Sequence, residues 1–254
     1  MCLLHVPILT GDIGDPITAV ASTKLTDTLG YLRTQDIVLL QELGSKNAHI
    51  HAQALLHTHT LWYSTHQQYR RGKGVAVALH KRLSNYYHSH TIHDDHQLIH
   101  LRLKHLLPSD ALLHVICWYL PHSGSTQLHA LDLMSRFTHL AAIVDEITAT
   151  QPGSLVVIAG DLNAKVGTAM PLSTKAAGTI LQHNAAYGIR KHQHISFERK
   201  QRHPDSDFSG KLLHDMCQAT HLINLTGITS ADSVTSCSIL HQHQRWKSTE
   251  TFQD

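Results

Sequence analysis

The sequence predicts a single α/β domain of stacked sheets. Three observations carry that expectation. Short runs rich in branched residues recur along the chain, as buried strands require. Segments with apolar residues three and four apart lie between them, as core-facing helices require. Two antiparallel-looking meander segments fall between Gly74 and Tyr119, which points to more than one sheet.

Taken in chain order, a helix around Leu25 to Arg33 precedes the first strong strand, "DIVLLQEL" at Asp36–Leu43. The next runs are "GVAVALH" (Gly74–His80), "LIHLRL" (Leu98–Leu103), "LLHVICWY" (Leu112–Tyr119) and "LVVIAG" (Leu155–Gly160). "DIVLLQEL" and "LVVIAG" are apolar at most positions and are expected to be buried on both faces. "LIHLRL" alternates, so it is expected to be half-buried. The clearest helix is "LHALDLMSRFTHLAAIVDEIT", Leu128 to Thr148, with Leu131, Met134, Phe137, Ala141, Val144 and Ile147 as its core-facing stripe. A second covers "SGKLLHDMCQATHL", with Ser209 as its cap and Leu213, Met216 and Ala219 along one face. The polar stretch "ERKQRHPDSDFSG", Glu198 to Gly210, is expected to be a surface loop. No internal repeat or interdomain linker interrupts the pattern, so residues 1–254 are taken as one domain.

The formal net charge is +2, which neither requires nor excludes a nucleic-acid partner. The chain holds 25 histidines, scattered over every type of segment, which reads as a compositional bias over surface positions rather than a metal site. Cys2, Cys117, Cys217 and Cys237 show no paired spacing, as suits free thiols in a reducing compartment. No run approaches the roughly 18 apolar residues of a spanning helix. The expectation is a soluble, intracellular protein with no membrane span and no obligate protein partner.

Chemistry is expected where strands end. Glu42 terminates "DIVLLQE", Tyr119 terminates "LLHVICWY", and Asp161 and Asn163 follow "LVVIAG". A glutamate at the end of an apolar strand is costly to bury unless its charge is met. One carboxylate with phosphate oxygens and waters is how proteins commonly hold Mg²⁺, which makes Glu42 the expected metal anchor. Asp161 is then placed to orient or deprotonate a water. Asn163 and Tyr119 are placed to donate to phosphoryl oxygens. The same Asp-x-Asn spacing also suits a plain Asx turn after a strand.

Five segments in order resemble the endonuclease/exonuclease/phosphatase superfamily: "DIVLLQE", "GKGVAVAL", "CWYLPH", "IAGDLNAKVG" and "GKLLHDMCQATHLINLTG". The "GDLN" form and the long helix before it are most similar to endonucleases of non-LTR retrotransposons. The resemblance implies a four-layer α/β/β/α sandwich, two packed mixed β-sheets flanked by helices, with the active site at one end. It implies Mg²⁺ as cofactor, with Mn²⁺ as an alternative, and a DNA substrate. Glu42 is then the metal ligand, Tyr119 and Asn163 contact phosphate, and Asp161 aligns the water. Where the superfamily has T-x-N, this chain offers Asp12 as a further metal group. Where it has asparagine after "YLP", this chain has His122, which keeps a phosphate donor. The superfamily's last strands carry an aspartate and then Ser-Asp-His. Here "RWKSTETFQD" offers Asp254 for the aspartate and nothing for the histidine. The domain is therefore expected to be incomplete at its C-terminus, with the last strands missing and activity impaired.

Three other readings stay open. One is an inactive remnant that binds nucleic acid, and another is a lipid- or inositol-phosphate phosphodiesterase sharing the same core. The third is a zinc module of His214, Cys217, Cys237 and His241, set against Cys217 serving as a small core residue.

Overall fold

The computed structural model describes residues 30, 32–41, 55–64, 74–93, 97–107, 110–120, 130–167, 205–224 and 237–241. Three strands, β1 (Ile37–Leu40), β2 (His59–Ser64) and β3 (Val75–His80), form an antiparallel sheet in the order β1-β3-β2. Six more form the larger sheet: β4 (Tyr87–His93), β5 (Leu98–Leu103), β6 (Leu113–Trp118), β7 (Leu155–Gly160), β8 (Leu222–Asn224) and β9 (Cys237–His241). Their order is β4-β5-β6-β7-β9-β8, parallel only between β6 and β7. A parallel pair needs a crossover, and helix α1 (Ala130–Thr150) supplies it. Helix α2 (Phe208–Ala219) follows β7 in the described residues and packs against α1.

The strand period of two separates the core into layers. Ile37, Leu39, Val75, Val77 and Leu79 meet Ile99, Leu101, Leu103, Val115, Cys117 and Ala159 between the sheets. The opposite face of the larger sheet, including Leu98, Ile116, Trp118, Val156 and Ile158, packs on the helices. Phe137 of α1 stands edge-on to Trp118 with ring centroids 5.0 Å apart. The outer face of the small sheet, Val38, Leu40, Ala76 and Ala78, packs with Leu32 and Leu55. This is the expected stacked α/β architecture, although the smaller sheet is antiparallel throughout its described strands.

Four local expectations are corrected. The buried stripe of α1 is Leu133, Phe137, Leu140, Val144 and Ile147, while Met134 is 46% exposed. The helix is rotated so that Leu133 and Leu140 face the sheet, which leaves Met134 on the outer side. On α2 the cap is Asp207, whose carboxylate accepts from Gly210 N–H at 2.7 Å, and Ser209 is buried inside the first turn. Ala219 on the same helix is exposed. β5 is buried on both faces, because α1 covers the side that carries His100.

Nor are the histidines confined to the surface: His59, His100 and His114 are buried. Each is held by geometry. The Gln35 carbonyl accepts from His59 Nε2 at 2.9 Å, and the Thr58 hydroxyl meets Nδ1 at 2.8 Å. The Gln151 Oε1 accepts from His114 Nε2 at 3.0 Å, which leaves His114 Nδ1 to accept from His100 Nε2 at 2.8 Å. Burial, with Arg102 and His114 beside it, pushes His100 down to about 2. Burial likewise takes His114 down to about 4, against the opposing pull of its bond to Gln151. Both rings are neutral inside the protein.

Candidate active site

Because β6 and β7 are parallel, their carboxyl ends lie at the same edge of the larger sheet. β1 ends there too: Gln41, just past it, donates from Nε2 to Cys117 Sγ of β6 at 3.4 Å. The gathering of these three strand ends is what turns separate sequence segments into one site.

At the end of β7 the chain makes a tight turn. Leu120 N–H donates to the Asp161 carbonyl at 2.9 Å, and Asn163 Nδ2 donates back to the Leu120 carbonyl at 2.7 Å. Asn163 N–H donates to Asp161 Oδ1 at 3.0 Å. The Asx turn is thus formed, and Asn163 takes the left-handed backbone (φ 43°) that asparagine tolerates better than most residues. Gly160 is required just before it. Its φ is +149°, and a Cβ there would run into the Trp118 carbonyl. β6 and β7 approach too closely at that point for any side chain.

The loop is pinned at its far side as well. Asp207 Oδ1 accepts from Lys165 N–H at 3.1 Å, and Asp207 N–H donates to the Lys165 carbonyl at 3.0 Å. Val166 bridges Ser206, and Gly210 lies so near the Lys165 carbonyl that a Cβ would collide with it. The cap of α2 therefore doubles as a clamp on the loop that carries Asp161 and Asn163.

Of the sequence-predicted residues, the structure brings Tyr119, Asp161 and Asn163 together at this edge. Tyr119 is buried at the end of β6, within the core between the sheets, and its N–H donates to the Gln97 carbonyl at 3.1 Å. Asp161 and Asn163 are half-buried. Glu42, Asp12, His122 and Asp254 lie outside the described residues. Cys217 packs in the apolar cluster under α2, and His214 faces Gln218 at 2.8 Å along the same helix. That is the core-residue alternative to the zinc module.

Two residues at this edge had not been singled out. Gln41 is 4% exposed and its Oε1 has no hydrogen-bond partner. Gln97 is 1% exposed and neither its Oε1 nor its Nε2 has one. Gln97 also holds a left-handed backbone, φ 49°. For Gln41 a sequence signal existed, a polar residue inside a buried strand beside Glu42. For Gln97, which precedes β5 in a polar stretch, there was none.

A sequence model of the Endonuclease/Exonuclease/phosphatase family matches residues 19–205, most of the chain and all of β1 to β7. The chain belongs to the endonuclease/exonuclease/phosphatase family. No curated protein matches its sequence. Among solved structures it is similar to AP endonuclease LMAP from Leishmania major, 11% identical with a TM-score of 0.51, covering 87% of this chain and 74% of that one. That likeness is one of fold. The endonuclease domain of TRAS1, a telomere-specific non-LTR retrotransposon, is 11% identical with a TM-score of 0.48, covering 89% and 81%. TDP2 from Caenorhabditis elegans is 22% identical with a TM-score of 0.43, covering 57% of this chain and 43% of that one. The chain spans about half the length of the Caenorhabditis elegans TDP2 and Xenopus laevis APE2 structures it matches.

The family implies a divalent metal, and Glu42 and Asp12, the residues expected to hold it, lie outside the described residues. Among the described residues no three His, Cys, Asp or Glu side chains gather as a cage. The site edge instead offers the Asp161 carboxylate and the two unpartnered amide oxygens of Gln41 and Gln97. Hard oxygen donors of this kind suit Mg²⁺, which gives up its waters reluctantly.

Proposed function

We propose that this chain is a Mg²⁺-dependent phosphodiester hydrolase that cleaves nucleic acid, as a DNA endonuclease of the retrotransposon type. The observation that carries the proposal is the hydrogen-bonded turn at the end of β7. It fixes a carboxylate and an amide side by side at the meeting point of three strand ends. Family membership gives the reaction class, and preorganised polar groups at such an edge give the means.

In this reading Asp161 orients the attacking water and takes its proton. The bond from Asn163 N–H to Asp161 Oδ1 holds the carboxylate in one rotamer while it does so. Asn163 spends one amide hydrogen on the Leu120 carbonyl and directs the other to a phosphoryl oxygen. Tyr119, rooted in the core, serves as a further donor to the charge that builds on phosphorus. Glu42 and Asp12 would hold Mg²⁺, which when bound supplies charge neutralisation at the phosphoryl oxygens. His122 adds a phosphate donor.

DNA is preferred over a lipid or inositol phosphodiester because the "GDLN" segment and the helix before it resemble retrotransposon endonucleases. The test is nicking of supercoiled plasmid by residues 1–254 in Mg²⁺, beside Asp161→Ala and EDTA controls. Nicking lost in both controls supports the proposal. A folded chain that cleaves an inositol phosphodiester and spares plasmid overturns the substrate, and one that cleaves neither overturns the activity.

A further inference from the structure

Gln41 and Gln97 have no place in that mechanism, yet they are the least satisfied polar groups at the site edge. Three of their four amide heteroatoms are buried without a partner, and only Gln41 Nε2 is used, on Cys117 Sγ. Leaving such groups unpaired costs a protein about 1–3 kcal/mol apiece. Gln97 adds the strain of a left-handed backbone at a non-glycine residue. Single costs of this kind are borne elsewhere too, at Arg136 Nη1, Thr148 Oγ1, His105, Asp110 and His221, but at Gln97 both kinds fall on one residue beside the candidate site.

Both residues adjoin the end of β6, next to the turn that carries the candidate chemistry. Gln41 bonds to Cys117, Gln97 accepts from Tyr119 N–H, and the next residue, Leu120, bonds to Asp161 and Asn163. The unmet set holds two carbonyl oxygens and one NH₂ group, so it wants donors more than acceptors. A phosphate oxygen, which only accepts, would leave both carbonyls unmet. Water bound to a divalent cation is a small and charge-assisted donor, and it satisfies them.

We infer that Gln41 and Gln97 are positioning residues for the metal's hydration shell, their Oε1 atoms accepting hydrogen bonds from metal-bound water. The inference rests on the proposed Mg²⁺ dependence. It places the two glutamines outside the ligands themselves, where they set which waters stay and how they point.

The experiment uses the full chain with Mn²⁺ as probe, in Gln41→Met, Gln97→Met and Gln97→Glu variants. Mn²⁺ affinity is measured by calorimetry and thermal unfolding is followed with and without the ion. Each methionine variant should bind Mn²⁺ about ten-fold more weakly. Each should also melt at a higher temperature than wild type without the ion, since an isosteric apolar side chain removes an unmet buried group. Gln97→Glu, which keeps the acceptor, should bind at least as tightly as wild type. Methionine variants that bind Mn²⁺ as wild type does would overturn the inference, as would variants that melt lower without the ion, the mark of a purely structural amide. In either case plasmid nicking by wild type leaves the proposed function standing. A wild-type chain that neither binds Mn²⁺ nor nicks ends both.

Discussion

The larger sheet treats its polar groups differently at its two ends. From its middle toward the amino ends of β6 and β7, His100, His114 and Gln151 form an unbroken run of hydrogen bonds under α1. At the carboxyl ends of the same strands, Gln41 and Gln97 are as deeply buried and are left unmet, and the backbone is held in left-handed conformations at Gln97 and Asn163. Burial alone therefore does not separate scaffold from site in this protein. Nor does a single unmet atom, since Arg136 Nη1 and Thr148 Oγ1 on α1 are buried without a hydrogen bond as well. What sets the carboxyl edge apart is that an unmet amide and a left-handed backbone coincide there in one residue, Gln97.

The contrast can be broken most directly at Asp161. Asp161→Ala should lower the nicking rate by at least about a hundredfold, while circular dichroism stays unchanged. A residual rate near wild type would make the turn scaffold, like the histidines. Next in size is Gly160→Ala, expected to cost about 3 kcal/mol in urea unfolding, because the Cβ meets the Trp118 carbonyl on a backbone that disfavours any side chain. A near-neutral result would mean that β6 and β7 can part without penalty.

The histidine end makes a pH prediction. Both rings have folded-state values pushed below 6.5, to about 2 for His100 and about 4 for His114. Between those values and 6.5 the unfolded chain binds more protons than the folded one, so stability falls as pH falls below 6.5. Each histidine should contribute about 1.4 kcal/mol per pH unit, both down to pH 4 and His100 alone below it. Urea midpoints between pH 7 and 5 read the slope, and a His100→Leu/His114→Leu double variant should reduce it. The share of His59, His80 and His93, which burial also pushes down, should remain. The smallest effect sharpens the comparison most. Gln151→Ala, which removes the acceptor of His114 Nε2, should cost about 1 kcal/mol. The methionine variants of Gln41 and Gln97 at the opposite end should do the reverse and stabilise the metal-free protein.

Much of the fold was legible in local pattern. β5 and β7 begin and end where "LIHLRL" and "LVVIAG" do, because branched residues bounded by loops need no distant help to be recognised. Other features depend on distant partners. The half-buried expectation for "LIHLRL" failed because His100 is sheltered by a bond to His114 and a helix that starts 30 residues later. Met134 and Leu133 compete for the core by one residue's rotation, which only the sheet's position decides. Asp207 displaces Ser209 as cap because it also grips Lys165. At the site, Asp161, Asn163 and Tyr119 were legible as polar residues at strand ends. Gln97 was not, since its peculiarity is a missing partner, and a missing partner leaves no trace in a sequence.

The order of the strands also bears on how the chain is made. β7 lies between β6, joined to it by α1, and β9, which is not synthesised until Cys237. At ordinary rates of translation, the β7 edge that β9 will cover stays unpaired for several seconds after Gly160 is added. For that interval a nascent chain carries an open apolar strand, the kind of edge that recruits other chains. Yield in a cell would then be governed by how quickly residues 237–241 arrive and by what shields β7 until they do.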